Sequence, residues 1–484
     1  MLFNSIDFLL FFPPVIFVLF VIPRKARSSW LLISSYYFYM SWNPIYAMLI
    51  LATTAMTFAG GILAYRLKRE NFQALEKISV IICAVLNLFI LFLFKYANFF
   101  IENLNGLFGY LETGITIRRL NLLLPVGISF YTFQGLSYIF DIHRGIIGEE
   151  KNFIRYALYI SFFPQLVAGP IERSEKILPQ IKHIENIDFW NFRRIWYGFF
   201  LMLWGLFQKL VIADRAALVV NKVINNYDGY GAAQIIAAVL LFSIQVYCDF
   251  NGYTIIACGS SAIMGVTLTD NFRQPYFSKN IKEFWNRWHI TLTSWFREYV
   301  YIPLGGNRKG KTRKYVNTLS VFLLSGLWHG ASWNYVIWGG IHAVYLILND
   351  MKTSGKKDGN TNRITCVFQI FTTFLLVNFA WIFFVCKDNK HAFALLRQIA
   401  FSGKLYTAAD MGLDIVNWIV LLIAVFVLFL ADVFHEMGRS VLELISKQTI
   451  VIRYIVYFTL IWSIIMLGIY GSDYNASTFI YFQF

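Results

Sequence analysis

Apolar residues run along this chain in long blocks instead of alternating with polar ones. Each block matches the roughly 17 to 25 residues that a helix needs to cross about 30 Å of hydrocarbon, where every backbone polar group must bond within its own segment. The pattern predicts a first span before Arg24, then a stretch over 30–65 that turns back at Trp42-Asn43-Pro44. Further spans are expected near 78–94, 120–140, 196–212, 234–250, 315–328, 333–348, 365–385, 413–434 and 454–470. This gives about 10 to 12 crossings, with ends placed to within a few residues. Two apolar pieces are too short or too broken for a standard span: 157–168, which ends at Gly169-Pro170, and 253–266, which contains Gly259 and Gly265. They read as half-helices or re-entrant segments, which survive at membrane depth when packed inside protein or lining a cavity. The fold class expected is therefore an all-α polytopic membrane protein, 1–484 forming a single membrane domain around a central funnel or tunnel. No strong internal repeat is visible, which weighs against an inverted-repeat transporter.

Composition agrees with the pattern. Hydrophobic residues make up 58% of the 484 and charged residues 14%, against roughly 25% charged in a soluble protein, which excludes an ordinary soluble enzyme. The formal net charge is +15. In a membrane chain such an excess of Lys and Arg marks cytoplasmic loops and not a nucleic-acid surface. Arg24, Lys25 and Arg27 follow the first span, which places them inside and the N-terminus outside. The five cysteines show no metal-ligand spacing, and no HExxH site or P-loop order is present.

The most informative polar segment is 269–314, with ten Lys and Arg against three Asp and Glu. Positive charge places it in the cytoplasm, and the mixed apolar and polar character of 281–302, with Trp285, Trp288 and Trp295, predicts an interfacial helix against the membrane. Its end, GGNRKGKTRK, sets flexible backbone beside Arg308, Lys309 and Lys311. Such clustered cations suit the phosphates of an acyl carrier such as coenzyme A, and equally suit anionic lipid headgroups.

Among seven histidines, His289 in WNRWHI and His329 in LLSGLWHGASWN stand out. An ionisable group in an apolar segment is costly unless it faces the protein interior or a water path, which makes His329 a candidate functional residue. A neutral imidazole can take the proton of a hydroxyl as its oxygen attacks a thioester or ester carbonyl, then return it to the leaving group. The competing reading is a histidine hydrogen-bonded across a helix interface, and for His289 a ring packed among tryptophans. Asp249, beside Asn251, is either a helix end or a group that orients a histidine or a bound hydroxyl. Asn334 either orients a substrate or makes a cross-helix contact. Gln134 and Gln165 lie in stretches too polar for lipid and should face the cavity, whereas His143 and Arg144 with Asp141 read as a membrane-edge ion group.

The stretches PVGISFYTFQGLSYIFDIHRG, FFPQLVAGPIER, QVYCDFNGYTIIACGSSAIMG, 271–308 and FLLSGLWHGASWNYVIWGGIH resemble, in order, the signature segments of the membrane-bound O-acyltransferase family. The likeness is greatest to its bacterial alginate O-acetyltransferase branch and includes the terminal FIYFQF, 479–484. The resemblance implies a multi-helix fold with a funnel or tunnel, acyl donor reached from the cytoplasm and acceptor from outside. It implies that His329 is the catalytic histidine and that His289 is the second histidine of the bacterial branch, which often stands where the family has an asparagine, so no catalytic asparagine is assigned. It further implies acetyl-coenzyme A as donor substrate with no tightly bound cofactor and no metal, an extracytoplasmic SGNH-type partner, an exported polysaccharide as acceptor, and residence in the bacterial inner membrane. The alternatives are D-alanyl transfer to teichoic acid from a carrier-protein thioester, and a non-enzymatic transporter or channel.

Overall fold

The computed structural model describes residues 1–188, 190–353, 362–401 and 411–470; the terminal 479–484 stretch lies outside them. Every regular element among the described residues is helical. Seven helices are long and apolar enough to cross a membrane: Ile45–Arg69, Gln73–Tyr110, Phe192–Asn225, Ala232–Ile263, Arg363–Val385, Ile415–Glu436 and Ile450–Leu467. A shorter apolar helix, Ile6–Val21, begins the chain. Three other predicted spans form helices outside these seven. Ile128–Arg144 has 17 residues and a mostly buried surface, Gly310–His329 opens with a run of cations, and the third is Trp333–Thr353.

The predicted break at Pro44 is present between Arg27–Met40 and Ile45–Arg69. The segment 157–168 is broken as expected, into Phe153–Ser161 and Phe163–Leu166, and all of 157–168 is buried. The helix expected from 120 starts only at Ile128, because Pro125 and the left-handed Gly127 (φ +75°) delay it. Two expectations are corrected. Residues 253–263 are the continuation of one 32-residue helix, Ala232–Ile263, and not a separate half-helix. Gly259 does not break it; a Cβ there would lie 2.5 Å from the carbonyl oxygen of Gly198, so its role is close helix approach. The second glycine, Gly265 (φ +80°), lies just beyond the end of the helix, where glycine is the usual residue.

The second correction concerns 281–302. It is not one interfacial helix but two, Ile281–Arg287 and Ile290–Phe296, followed by a π turn over Arg297–Tyr301. Trp285, Trp288 and Trp295 are all buried. The first helix is capped by Asn280, whose side chain accepts from Glu283 N. It ends where Trp288 turns extended and His289 takes φ +43°.

Backbone contacts gather the chain into two units. The first comprises Met1–Ile195 with Ser260–Thr269. Its core joins Phe3, Phe8, Phe38 and Phe163 with a tyrosine group, Tyr138, Tyr156 and Tyr159. The second comprises Trp196–Gly259 with Asp270–Phe484, and its core is built on stacked Trp338 and Trp381 with Phe384 against both. In this unit helices 192–225 and 232–263 cross at glycines. A Cβ on Gly205 would meet the Gly252 oxygen at 2.5 Å, and one on Gly252 would meet the Gly205 oxygen at 2.8 Å.

Candidate active site

The second unit buries both singled-out histidines. His329 is the last residue of Gly310–His329 and is 3% exposed; its Nδ1 lies 2.7 Å from the carbonyl oxygen of Ser325. A carbonyl can only accept, so Nδ1 carries the proton and Nε2 holds the lone pair. The ring is walled by Trp338 at 4.9 Å and Phe384 at 5.7 Å between centroids.

His289 is fully buried, with Phe250 edge-on at 4.7 Å. Its Nδ1 is 3.1 Å from Asn271 Oδ1. That same oxygen receives the Thr291 backbone N–H at 3.2 Å, and the N–H can only donate, which identifies the amide atom as oxygen. His289 therefore also donates from Nδ1 and keeps a basic Nε2. Trp328 stands beside both rings, 6.0 Å from His289 and 5.0 Å from His329. Burial holds the His289 imidazole well below its usual protonation range, and the neighbouring His329 adds to this.

A third buried histidine shows the contrast. His342 accepts from Trp285 Nε1 at Nδ1, 3.3 Å away, so its lone pair there is already used. Of these three rings, His289 and His329 hold the proton on Nδ1 and His342 holds it on Nε2.

The helix 232–263 sets Phe250 against His289 and aims the preceding Asp249 elsewhere. Asp249 is not a helix end. Its Oδ1 lies 2.6 Å from Lys209 Nζ, which also pairs with Asp214 at 2.8 Å, all three side chains buried. Asn251 donates to Gln208 Oε1 at 3.0 Å. Lys209 lies in a π segment, Phe207–Ala213, of a membrane-length helix. An isolated lysine in an apolar run was the signal that would have drawn attention to it. Asn334 donates to the carbonyls of Phe383 (3.2 Å) and Cys386 (2.7 Å), which closes the end of helix Arg363–Val385. Of its two readings, the cross-helix contact is the one seen.

Arg308, Lys309 and Lys311 are exposed around a turn whose carbonyls at Leu304 and Gly306 accept from Asn317. In the first unit, Gln134 and Gln165 are buried about Tyr159: the Gln165 amide donates to the Tyr159 carbonyl and the Tyr159 hydroxyl to that of Gln134. The edge group there pairs His143 Nδ1 with Glu76 at 2.7 Å. Buried Glu172 accepts from the backbone N–H and hydroxyl of Thr269, and burial raises its pKa. Among the described residues, no group of three or more His, Cys, Asp or Glu is placed to hold a metal ion.

Seven membrane-length helices and, in the second unit, two buried imidazoles with the proton held on Nδ1 define a multi-pass membrane protein equipped for acid–base chemistry. The chain belongs to the membrane-bound O-acyltransferase family and is an acyltransferase: the family profile matches residues 146–387. It is 33% identical over its whole length and all of the relative's to the probable alginate O-acetylase AlgI of Pseudomonas putida. It is also 33% identical to the peptidoglycan O-acetyltransferase of Helicobacter pylori, covering 82% of this chain and 79% of that one. The teichoic acid D-alanyltransferase of Bacillus subtilis is 31% identical over 56% of this chain and 71% of its own.

Proposed function

We propose that this enzyme moves acetyl groups from cytoplasmic acetyl-coenzyme A into or across the bacterial inner membrane, for O-acetylation of an exported or cell-surface polysaccharide. The carrying observation is the pair of buried imidazoles, each with Nδ1 committed to an acceptor oxygen. In this reading Nε2 of His329 takes the proton of the acceptor hydroxyl as its oxygen attacks the thioester carbonyl. The C–O bond forms, the C–S bond breaks, and the imidazolium returns the proton to the departing thiolate. His289 supports the site from the donor side. Arg308, Lys309 and Lys311 receive the donor's phosphates, by charge alone.

An extracytoplasmic SGNH-type partner completes the transfer in this reading, with the N-terminus on the same outer face. The funnel that connects donor and acceptor belongs to the same proposal. D-alanyl transfer from a carrier-protein thioester is the second reading, favoured by the teichoic acid relative and a basic turn suited to an acidic carrier. Membranes holding the protein and its partner, given labelled acetyl-coenzyme A or labelled D-alanyl carrier protein, separate the two. Loss of general-base catalysis costs about 10²- to 10⁴-fold, so His329→Ala should lose label transfer on that scale while still folding. Unchanged transfer would remove His329 from its role.

A further inference from the structure

The left-handed backbone of His289 is uncommon for a residue with a side chain (φ +43°, ψ 54°). What holds it there comes from 18 residues upstream. The Asn271 carbonyl accepts from Ile290 N at 2.9 Å. Its side-chain oxygen accepts from Thr291 N at 3.2 Å, from Thr291 Oγ1 at 2.9 Å and from His289 Nδ1 at 3.1 Å. The helix Ile290–Phe296 has no cap from its own N-cap side chain, since that residue is His289. Asn271 supplies the cap from outside and grips the imidazole with the same atom.

We infer that Asn271 is a positioning residue: it fixes His289 as the Nδ1–H tautomer and so aims a basic Nε2 at the reaction. Turning the amide over would set Nδ2 against the Thr291 backbone N–H, which can only donate, so the orientation is determined even though Nδ2 itself has no partner among the described residues. Replacing the amide with a carboxylate keeps every one of these bonds, because a carboxylate also accepts, and adds a charge that favours imidazolium. This makes Asn271→Asp a diagnostic change and not merely a damaging one.

The inference deepens the acyl-transfer reading and rests on it for the catalytic part, but the tautomer is measurable without any substrate. Full-length protein labelled with [15N]histidine and reconstituted in lipid vesicles reports ring protonation by nitrogen NMR. The His289 signals are assigned by their loss in His289→Gln. The expected result is an Nδ1–H neutral ring in the native protein, an exchanging mixture of tautomers in Asn271→Ala, and retention of Nδ1–H in Asn271→Asp and Thr291→Val. In the acetyl-transfer assay, Asn271→Ala should fall about 100-fold in kcat, the usual scale of a misplaced catalytic group, with KM for the donor little changed. Asn271→Asp should recover activity with its acid limb moved to higher pH. Should Asn271→Ala fail to fold, the Asp variant's ring spectrum and pH profile decide the matter alone. A native ring protonated at Nε2, or an Asn271→Asp acid limb unmoved, overturns the inference. A native Nδ1–H ring with no acetyl transfer in any membrane would instead count against the acyl-donor assignment and leave the positioning role standing.

Discussion

Gly326 sits three residues before His329, where the helices 310–329 and 333–353 press together. A Cβ built on it would lie 2.2 Å from the carbonyl oxygen of Tyr335, while ordinary contact begins at 3.4 Å. Gly326→Ala therefore has to separate two backbones by about 1 Å, since neither atom belongs to a flexible side chain; overpacking of this kind costs about 1 to 3 kcal/mol. The displacement is passed to His329 within one helical turn, through the very carbonyl-to-ring bond from Ser325 that sets its tautomer. A shift of about 1 Å at a catalytic group costs on the order of 100-fold in rate. The expected outcome is a lowered thermal midpoint in detergent and a kcat reduced about 100-fold, with KM for the donor nearly unchanged. Gly340→Ala is the matched control. Its Cβ meets only Leu323 Cδ2, at an ordinary 3.6 Å, and it should behave as the native protein. A Gly326→Ala enzyme with native turnover, or a Gly340→Ala enzyme equally damaged, would refute the link between this crossing and the site.

Two further outcomes follow from buried charge. Lys209→Met leaves Asp214 and Asp249 buried without the cation that separates them, and breaking such a group costs about 3 to 5 kcal/mol; a change under about 1 kcal/mol in chemical denaturation would contradict this. His289 has its folded pKa lowered by burial, so the unfolded chain takes up the proton first as the medium turns acid. Its contribution to stability is complete above the ordinary value of 6.5 and is lost as pH falls below it. The thermal midpoint should drop on acidification through that range, and His289→Gln should flatten the drop.

Much of the fold was legible because proline and glycine act locally. Pro44 marks the break between two helices, Pro164 sits in the first turn of the short helix that restarts after Phe162, and Pro125 with Gly127 keeps the next helix from starting before Ile128. Gly259 misled because a glycine inside an apolar run has two causes, a break or a close approach. Only the neighbouring helix, with Gly198 opposite, decides between them. The tryptophans of 281–302 misled for a similar reason. The amphipathic pattern of a surface helix is also that of a segment folded into the protein, and the turn at His289 leaves no signature in residue type. Both histidines were visible as ionisable groups beside apolar stretches. Asn271 was not, because nothing in an Asp-Asn pair before a phenylalanine announces a contact 18 residues away.

The helix that ends at His329 begins at Gly310, beside Arg308, Lys309 and Lys311. Its 20 residues rise about 28 Å from end to end. On the proposed reading one rigid helix therefore sets the spacing between the cations that would receive the donor's phosphates and the imidazole that would meet its thioester. The turn that carries the cations is tied to that same helix at Asn317, so a bend in the helix would disturb both ends of a bound donor together.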